Sequence, residues 1–297
     1  MSFTQIKGLA FSNLDKVLYP QAHFTKRDVI DYYLGIAPVL LPHLANRPLT
    51  LKRYPNGSEG PFFYEKRCPE HRPSWTKTAR VWSDSSSEYI NYCLCNDSRT
   101  LAWLANLASL ELHAMLCKAQ APQKPTSMVF DFDPGAPADL LDCLRLGLKM
   151  KELLDHFNLQ SFPKTSGGKG LHLWVPLNSA VTFDQTKEFA HAVALMLEKQ
   201  NPKEVTSVMR KDLRVGKVLI DWSQNDSHKT TVCAYSLRAR PQPTVSTPIT
   251  WDEVSTALKR KDTDSLIFTA PQVLQRVAEK GDLFGSVLKL KQILPRG

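Results

Sequence analysis

Residues 128–135 constrain the fold of this chain more than any other stretch. Apolar side chains alternate there with the carboxylates of Asp131 and Asp133, and a Pro-Gly pair then ends the run. This pattern predicts a short strand that stops in a turn. Because side chains alternate between the two faces of a strand, the carboxylates should share one face, about 7 Å apart at Cα. Phe130 and Phe132 should then enter the core.

Two carboxylates on one face repel each other unless a cation lies between them. Hard divalent ions such as Mg²⁺ and Mn²⁺ prefer this kind of oxygen ligand. A second apolar run, residues 217–222, also delivers a carboxylate near its end, so Asp221 is a candidate third ligand. For an isolated Asp-x-Asp pair, a solvated polar face with incidental acids is the alternative interpretation.

A Gly-rich segment between the two acidic strands is the candidate phosphate site. Its glycines allow backbone amides to turn inward as an anion-binding nest, while a serine and a lysine add a hydroxyl and a charge. His172 begins the apolar strand that follows, so its side chain should emerge at the mouth of the loop. The loop consists of Ser166, Gly167, Gly168, Lys169 and Gly170. Its spacing is not that of a Walker loop, and a purely structural glycine turn is the alternative.

Composition and charge narrow the class of protein. The chain has 297 residues, of which 42% are hydrophobic and 23% charged, which excludes general disorder and allows a large core. No apolar run reaches membrane-spanning length and no signal peptide follows Met1, so a cytoplasmic protein without a membrane partner is expected. The net charge of +9 is uneven, with +6 in residues 1–80, −3 in 81–201 and +4 in 202–240. Basic segments around an acidic middle favour a polyanion-binding surface beside a metal site, with a solvated basic face as the alternative.

The N-terminal third combines basic and aromatic residues. Residues 49–54 alternate like a strand that presents Lys52 to one side. Phe62, Phe63 and Tyr64 are adjacent in a Gly-flanked loop, so they cannot all be buried on one face. Stacking on a nucleobase and a hydrophobic corner are the two interpretations.

Helical periodicity and capping signals predict the remaining elements. Thr25 has the pattern of an N-cap for a helix that runs towards Pro38. Further helices are predicted over residues 99–115, 140–154 and 183–199, with helical periphery beyond Trp251. The helix over 99–115 would carry His113, for which a hydrogen-bonded core histidine is the default interpretation.

The six cysteines show no C-x-x-C spacing. Cys68, His71, Cys93 and Cys95 could in principle surround a zinc ion. Cys93 and Cys95 lie in or beside a strand-like run, however, where packing in the core is the commoner role.

Three motifs in this order resemble the polymerase domain of bacterial ligase D, a member of the archaeo-eukaryotic primase superfamily. They are the Asp-Phe-Asp-Pro strand, the loop from Ser166 to His172, and the run from Asp221 to Asn225. The likeness extends from Asn13 to Trp251. It implies a mixed α/β (α+β) fold, in which a primase-type catalytic core with an RRM-like sheet and an N-terminal β module are flanked by helices. It also implies that residues 1–297 form a single primase-polymerase domain.

The resemblance implies a function in end-joining repair. The protein would be a DNA-directed nucleotidyltransferase, a primase-like DNA/RNA polymerase that extends or fills DNA ends with NTP or dNTP. Two ions, Mn²⁺ or Mg²⁺, would act between the catalytic and metal-binding residues Asp131, Asp133 and Asp221. Expected partners are DNA with ends, gaps or overhangs, preferably with a 5′-phosphate, together with a ligase and Ku, all at the nucleoid.

The resemblance also assigns the other site residues. The expected nucleotide-binding residues are Lys52, His113, Ser166, Gly167, Gly168, Lys169, His172, Lys229, Arg238 and Arg240. The expected DNA-binding residues are Asn13, Lys16 and Lys26 at a downstream 5′-phosphate, and Phe62 and Phe63 at the template bend. No adenylation motif Lys-x-Asp-Gly occurs, so this sequence would not seal nicks by itself. A metal-dependent nuclease or phosphohydrolase and a non-catalytic DNA-end-binding module are the alternative functions.

Overall fold

The computed structural model describes residues 9–83 and 86–295 of the chain. The described helices are α1 (Lys26–Leu44), α2 (Ser98–Asn106), α3 (Leu140–His156), α4 (Phe183–Gln200), α5 (Trp251–Arg260) and α6 (Ala270–Lys280). The described strands are β1 (Val17–Tyr19), β2 (Phe24–Thr25), β3 (Leu49–Arg53), β4 (Phe63–Glu65), β5 (Thr78–Ser83), β6 (Glu88–Cys93), β7 (Ser109–Ala114), β8 (Cys117–Lys118), β9 (Ala121–Pro125), β10 (Ser127–Pro134), β11 (Phe162–Thr165), β12 (Leu171–Pro176), β13 (Val205–Thr206), β14 (Val218–Asp221) and β15 (Thr231–Val232). The predicted mixed α/β class is confirmed.

The chain folds into two compact units. Unit 1 contains the described residues up to Gln120, Thr230–Ser246 and Phe268–Asp282. Unit 2 contains Ala121–Lys229, Thr247–Ile267 and the described residues from Leu283 onward. The single primase-polymerase domain expected from the sequence stays a prediction. None of the described helices is long and apolar enough to cross a membrane.

Unit 1 is built on a six-stranded antiparallel sheet. Its strand order is β15-β7-β3-β6-β5, with β4 also paired to β3. Helix α1 packs against α2 and α6 within this unit. The sheet places β3 between β4 and β7, and these strands carry the candidates Lys52, Phe63 and His113.

Helix α1 begins as predicted but continues beyond the predicted end. Thr25 and Asp28 form a reciprocal capping box at its start. Pro38 does not end the helix, which runs to Leu44. Ile36, Leu40 and Leu44 are fully buried at four-residue spacing across the proline. This continuous buried stripe offsets the hydrogen bond that a proline removes from a helix.

The predicted helix over residues 99–115 is wrong in its second half. Helix α2 ends at Asn106, and Ala108 has a positive φ of 55°, which breaks the helical path. The chain then enters the sheet as β7. The alternation of Leu110 and Leu112 with Glu111 and His113 is a strand pattern. His113 therefore projects from a strand and not from a helix.

Unit 2 contains a five-stranded sheet with β10 at its centre. The strand order is β11-β12-β10-β14-β13, and β10 is antiparallel to both of its neighbours. The predicted strand over 128–135 is therefore confirmed, as are the helices that became α3 and α4. Phe130 and Phe132 are fully buried. Asp131 and Asp133 on the opposite face keep partial exposure.

The cysteine chemistry differs from the zinc site considered above. Cys68 and Cys93 form a disulfide in unit 1, which removes two of the four candidate ligands. Cys95 is buried, with its thiol directed at the carbonyl oxygen of Asp97. Within residues 9–83 and 86–295, no group of three His, Cys, Asp or Glu side chains is arranged to hold a metal ion.

Candidate active site

A row of charged and polar side chains crosses the sheet of unit 2. Asp131 on β10 lies opposite Asp221 on β14 and opposite His172 on β12. His172 in turn lies opposite Lys164 on β11. Directly opposed residues share a face, with Cβ atoms about 4.5–5.5 Å apart. The sheet thus brings together three predicted site residues from three separate strands, and Asp133 follows on the same face of β10.

Polar neighbours hold the carboxylate of Asp221. Its Oδ1 accepts hydrogen bonds from the backbone N–H of Ser223 at 2.9 Å and from the Ser223 hydroxyl at 2.5 Å. Its Oδ2 accepts from the side-chain amide of Gln224 at 2.9 Å and lies 3.8 Å from Nζ of Lys229. Lys229 also donates to the Ser223 hydroxyl. Lys229, one of the expected nucleotide-binding residues, therefore lies beside Asp221.

The two carboxylates of β10 have cationic neighbours. Oδ1 of Asp131 is 3.3 Å from Nε2 of His172, and Oδ2 of Asp133 is 3.7 Å from Nη1 of Arg214. Burial and, after it, the charges of Asp131 and Asp221 raise the pKa of Asp133. Arg214 opposes that increase only in part. Three carboxylates therefore share this corner of unit 2 with several cationic side chains.

The donor set fits a divalent metal ion in its chemistry. Three carboxylates on one face supply the oxygen ligands that Mg²⁺ and Mn²⁺ prefer. Burial is the main cause of the raised pKa of Asp133, and the charges of Asp131 and Asp221 add to it; a cation bound there would offset both effects. In the described part of the chain the three carboxylates do not form a ready-made three-ligand cluster. Their oxygens are directed instead at the neighbouring donors, so binding would require side-chain rotation.

The Gly-rich loop lies directly against β10. A Cβ atom on Gly170 would stand 2.2 Å from the carbonyl oxygen of Phe132, so only glycine allows this approach. Gly167 adopts a positive φ of 72°. The Ser166 hydroxyl accepts hydrogen bonds at 3.1 Å from the N–H groups of both Gly168 and Gly170. The N–H groups of Gly168 and Gly170 therefore converge on an oxygen of the loop itself, and their anion-binding role stays a prediction.

In unit 1, the buried carboxylate of Glu111 lies close to three of the expected nucleotide-binding side chains. Glu111 Oε2 lies 3.0 Å from Nε2 of His113 and 3.2 Å from Nε of Arg238, and its Oε1 lies 3.7 Å from Nζ of Lys52. The hydroxyl of Tyr54 donates to Oε1 at 3.4 Å. Burial opposes ionisation, but the hydrogen bond from His113 and the charges of Arg238 and Lys52 hold the Glu111 pKa well below its usual value.

Exposed aromatic rings lie beside this set of residues, which we call the Glu111 cluster. The cluster consists of Lys52, Tyr54, Glu111, His113 and Arg238. Nζ of Lys52 is 4.1 Å from the centre of the Phe62 ring and 5.5 Å from that of Tyr64. Phe62 is 50% exposed and Tyr64 57% exposed. Phe63 lies instead against Arg53, with the guanidinium carbon 5.2 Å from its ring centre. Phe62 and Phe63, both predicted to lie at the template bend, therefore contact different cations.

The residues predicted to bind a 5′-phosphate also lie together in unit 1. The backbone N–H of Lys16 donates to the Asn13 carbonyl, and that of Lys26 donates to the Lys16 carbonyl. Nζ of Lys26 donates to the Ser12 carbonyl at 2.8 Å. Burial and then the charge of Lys16 lower the pKa of Lys26, so the two ammonium groups repel each other. A bound anion would relieve that repulsion.

The predicted site residues are thus divided between the two units. Unit 2 holds Asp131, Asp133, Ser166, Gly167, Gly168, Lys169, His172, Asp221 and Lys229. Unit 1 holds Asn13, Lys16, Lys26, Lys52, Phe62, Phe63, His113, Arg238 and Arg240. The exposed Arg240 lowers the pKa of Lys52, although burial lowers it more. The individual roles of these residues stay predictions.

Sequence reasoning missed three charged residues that contact the predicted site. Glu111 was visible in the sequence only as an acid two residues before His113. Lys164 stands two residues before the Gly-rich loop, and Arg214 stands among other basic residues before Lys217. A buried position for a charged residue cannot be read from its neighbours in sequence, because cross-strand partners create it.

Comparison with known proteins places the chain among related sequences. The family model for the LigD primase-polymerase domain matches residues 25–284. The multifunctional non-homologous end joining protein LigD of Mycolicibacterium smegmatis is 42% identical over 274 residues, which are 92% of this chain and 35% of that protein. The bifunctional non-homologous end joining protein LigD of Bacillus subtilis is 33% identical over 274 residues, 92% of this chain and 43% of that protein. The chain therefore spans less than half the length of these relatives.

A solved structure shares the fold. The polymerase domain from Mycobacterium tuberculosis ligase D in complex with DNA is similar with a TM-score of 0.87 and 38% sequence identity. The similarity covers 96% of this chain and 99% of that one. The resemblance inferred from the three motifs is thereby confirmed, together with the fold that it implied.

Proposed function

Since the chain belongs to the LigD primase-polymerase family, we propose that it is a DNA-directed nucleotidyltransferase that extends or fills DNA ends in end-joining repair. It would transfer the nucleotidyl group of an NTP or dNTP to a primer 3′-hydroxyl, with release of pyrophosphate. The observation that carries this proposal is the placement of Asp131 opposite Asp221, with Asp133 further along the same face.

The three carboxylates would hold two divalent ions, Mn²⁺ or Mg²⁺. Such ions, when bound, activate an oxygen nucleophile and stabilise the negative charge of a leaving phosphate. The three Asp residues would hold the positive charge of these ions at one face of the sheet. Ser223 and Gln224 would orient Asp221 through the hydrogen bonds that they already donate.

The remaining residues of unit 2 would bind and position the triphosphate. Positioning and charge neutralisation dominate catalysis of phosphoryl transfer. The N–H groups of Gly168 and Gly170 donate to the Ser166 hydroxyl. If that hydroxyl turns away, both could donate to a phosphate oxygen, with Lys169 adding a charge. His172 would offer a donor from the same face as Asp131.

Unit 1 would contribute to nucleotide and DNA binding. In the Glu111 cluster, Lys52, His113 and Arg238 present donors next to the exposed rings of Phe62 and Tyr64. Cations beside aromatic faces suit a nucleotide, because the rings stack on a base while the cations bind phosphate. Lys16 and Lys26, with Asn13, would bind the 5′-phosphate of a downstream strand at a helix N-terminus.

We further propose that the protein acts at the nucleoid with a ligase activity and with Ku. The relatives are named as non-homologous end joining proteins, and this chain spans 35% and 43% of the two described above. The polymerase step would therefore be coupled to the recognition of DNA ends and to the sealing of nicks. We do not assign those two steps to this sequence.

Extension of a labelled primer on gapped and overhanging DNA tests the proposal. Addition of nucleotides is expected with Mn²⁺ or Mg²⁺, and chelation of the metal should stop it. The same DNA without nucleotide serves as the control, since degradation there would indicate a nuclease instead. Failure to extend any of these substrates with NTP or dNTP and either metal would overturn the proposal.

A further inference from the structure

Lys164 is a lysine with no exposed surface, in the sheet that carries the acidic row. It lies on β11 directly opposite His172, and its backbone also forms a β-bridge with Pro248. Burying an ammonium group is costly unless it is paired or hydrogen-bonded. A residue held at such a cost beside a predicted triphosphate ligand calls for a physical explanation.

The geometry around His172 determines which ring nitrogen carries the proton. Nζ of Lys164 is 3.2 Å from Nδ1 of His172, and Nε2 of the same ring is 3.3 Å from Oδ1 of Asp131. An ammonium group has three donors and no acceptor, so Nδ1 must accept from it. The proton of the neutral ring is therefore on Nε2, which faces the carboxylate.

We propose that Lys164 is a positioning residue that fixes His172 in the Nε2–H tautomer. The opposite tautomer would direct a lone pair at Asp131 or at a phosphate oxygen. When these groups are ionised, they can accept hydrogen bonds but cannot donate them. With Lys164 in place, the imidazole presents a donor to whatever anion occupies this face. The proposal rests on the proposed function, because it gives His172 its use as a ligand of the triphosphate.

The first test measures the tautomer directly and requires no activity. Histidine labelled with ¹⁵N gives nitrogen shifts that distinguish the two tautomers, and His172→Gln identifies the signal among the eight histidines. The unmodified protein is expected to show Nε2–H at His172. Asp131→Ala alone should keep Nε2–H, because Lys164 still donates to Nδ1. Asp131→Ala combined with Lys164→Met, which keeps an unbranched side chain without the donors, should shift the ring towards Nδ1–H. An unchanged tautomer in that variant would overturn the proposal.

The second test asks whether Lys164 acts through His172. Lys164→Met should lower kcat/KM for the nucleotide about 10- to 100-fold, the usual effect of removing a group that orients a functional histidine. Lys164→Arg, which retains a donor-only cation, should recover part of that loss. In a His172→Ala background, Lys164→Met should have little further effect. An undiminished effect there would assign Lys164 a role independent of His172 and contradict the proposal.

Two controls separate this inference from its premise. Thermal melting and DNA affinity should stay close to those of the unmodified protein in Lys164→Met, because the predicted DNA contacts are in unit 1. Absence of primer extension by the unmodified protein would remove the proposed function. The tautomer measurement would still decide whether Lys164 sets the proton position of His172.

Discussion

Replacing Glu111 by alanine tests how unit 1 holds its cations. The Glu111 side chain is 3% exposed, and its carboxylate lies within 3.7 Å of nitrogen atoms of Lys52, His113 and Arg238. Without it, the cationic side chains of Lys52 and Arg238 would lose their shared counter-ion in a poorly solvated site. The change should therefore lower the stability of the unit as well as its affinity for nucleotide.

The expected magnitude follows from burial. Removing one partner of a buried ion pair costs about 3–5 kcal/mol, which for a domain of this size lowers Tm by roughly 6–20 °C. Glu88 provides a matched control, since it pairs with Arg67 at 2.9 Å but both side chains are about half exposed. Glu88→Ala should cost only about 0–1 kcal/mol. The contact distances are comparable, so the difference would come from burial.

The pH dependence gives an independent check. Burial opposes ionisation of Glu111, but the hydrogen bond from His113 and the charges of Arg238 and Lys52 depress its pKa in the folded state. A depressed carboxylate pKa contributes stability above the unfolded pKa, about 4.3, and loses that contribution as pH falls below it. The difference between the unmodified protein and Glu111→Ala should therefore be full at pH 7 and shrink below about pH 4.

Urea denaturation followed by circular dichroism at pH 7 and pH 3 measures these differences. Glu111→Ala should unfold at a clearly lower urea concentration than Glu88→Ala at pH 7, and the gap should narrow at pH 3. If the two variants were equally stable at pH 7, the carboxylate would not organise the cluster and the argument would fail.

Three further changes test the remaining assignments. Asp131→Ala or Asp133→Ala should abolish primer extension with little loss of DNA affinity, since affinity comes from cation–phosphate contacts; extension and gel-shift assays on one preparation check this. Lys169→Ala should raise KM for nucleotide by about tenfold or more, the worth of a charge-assisted hydrogen bond; steady-state kinetics showing an unchanged KM would make the loop a structural turn. Lys16→Ala combined with Lys26→Ala should remove a preference for gaps with a 5′-phosphate over a 5′-hydroxyl, yet leave open template-primers extendable. In the unmodified protein that preference should weaken as pH rises through the lowered pKa of Lys26, and equal affinity for the two gaps at pH 7 would reduce the patch to a solvated face.

Elements with a complete local signal could be predicted from the sequence. The alternation of residues 128–135 defined a strand whose two faces are used as expected. Thr25 and Asp28 carry the capping signal that starts α1. The end of that helix and the boundary between α2 and β7 were missed. In the first case buried contacts outweigh a proline, and in the second a left-handed residue breaks an apolar run.

The site was predictable in its residue types but not in its supporting contacts. Asp131, Asp221 and His172 stand in ordered motifs, and the sheet places them in one row. Glu111 and Lys164 were not among the predicted site residues. Their roles depend on cross-strand neighbours, and those neighbours are fixed only when the sheets form.

Both units use a buried charged side chain to hold in place the polar groups that are predicted to bind a polyanion. Cations that bind phosphate repel one another before the phosphate arrives, and a flexible set would lose conformational freedom on binding. In unit 1 the buried carboxylate of Glu111 holds Lys52, His113 and Arg238 in place. In unit 2 the buried ammonium of Lys164 orients His172 beside the carboxylate of Asp131. Each buried charge contacts residues that are predicted to meet the substrate, so it holds them in place before the substrate binds.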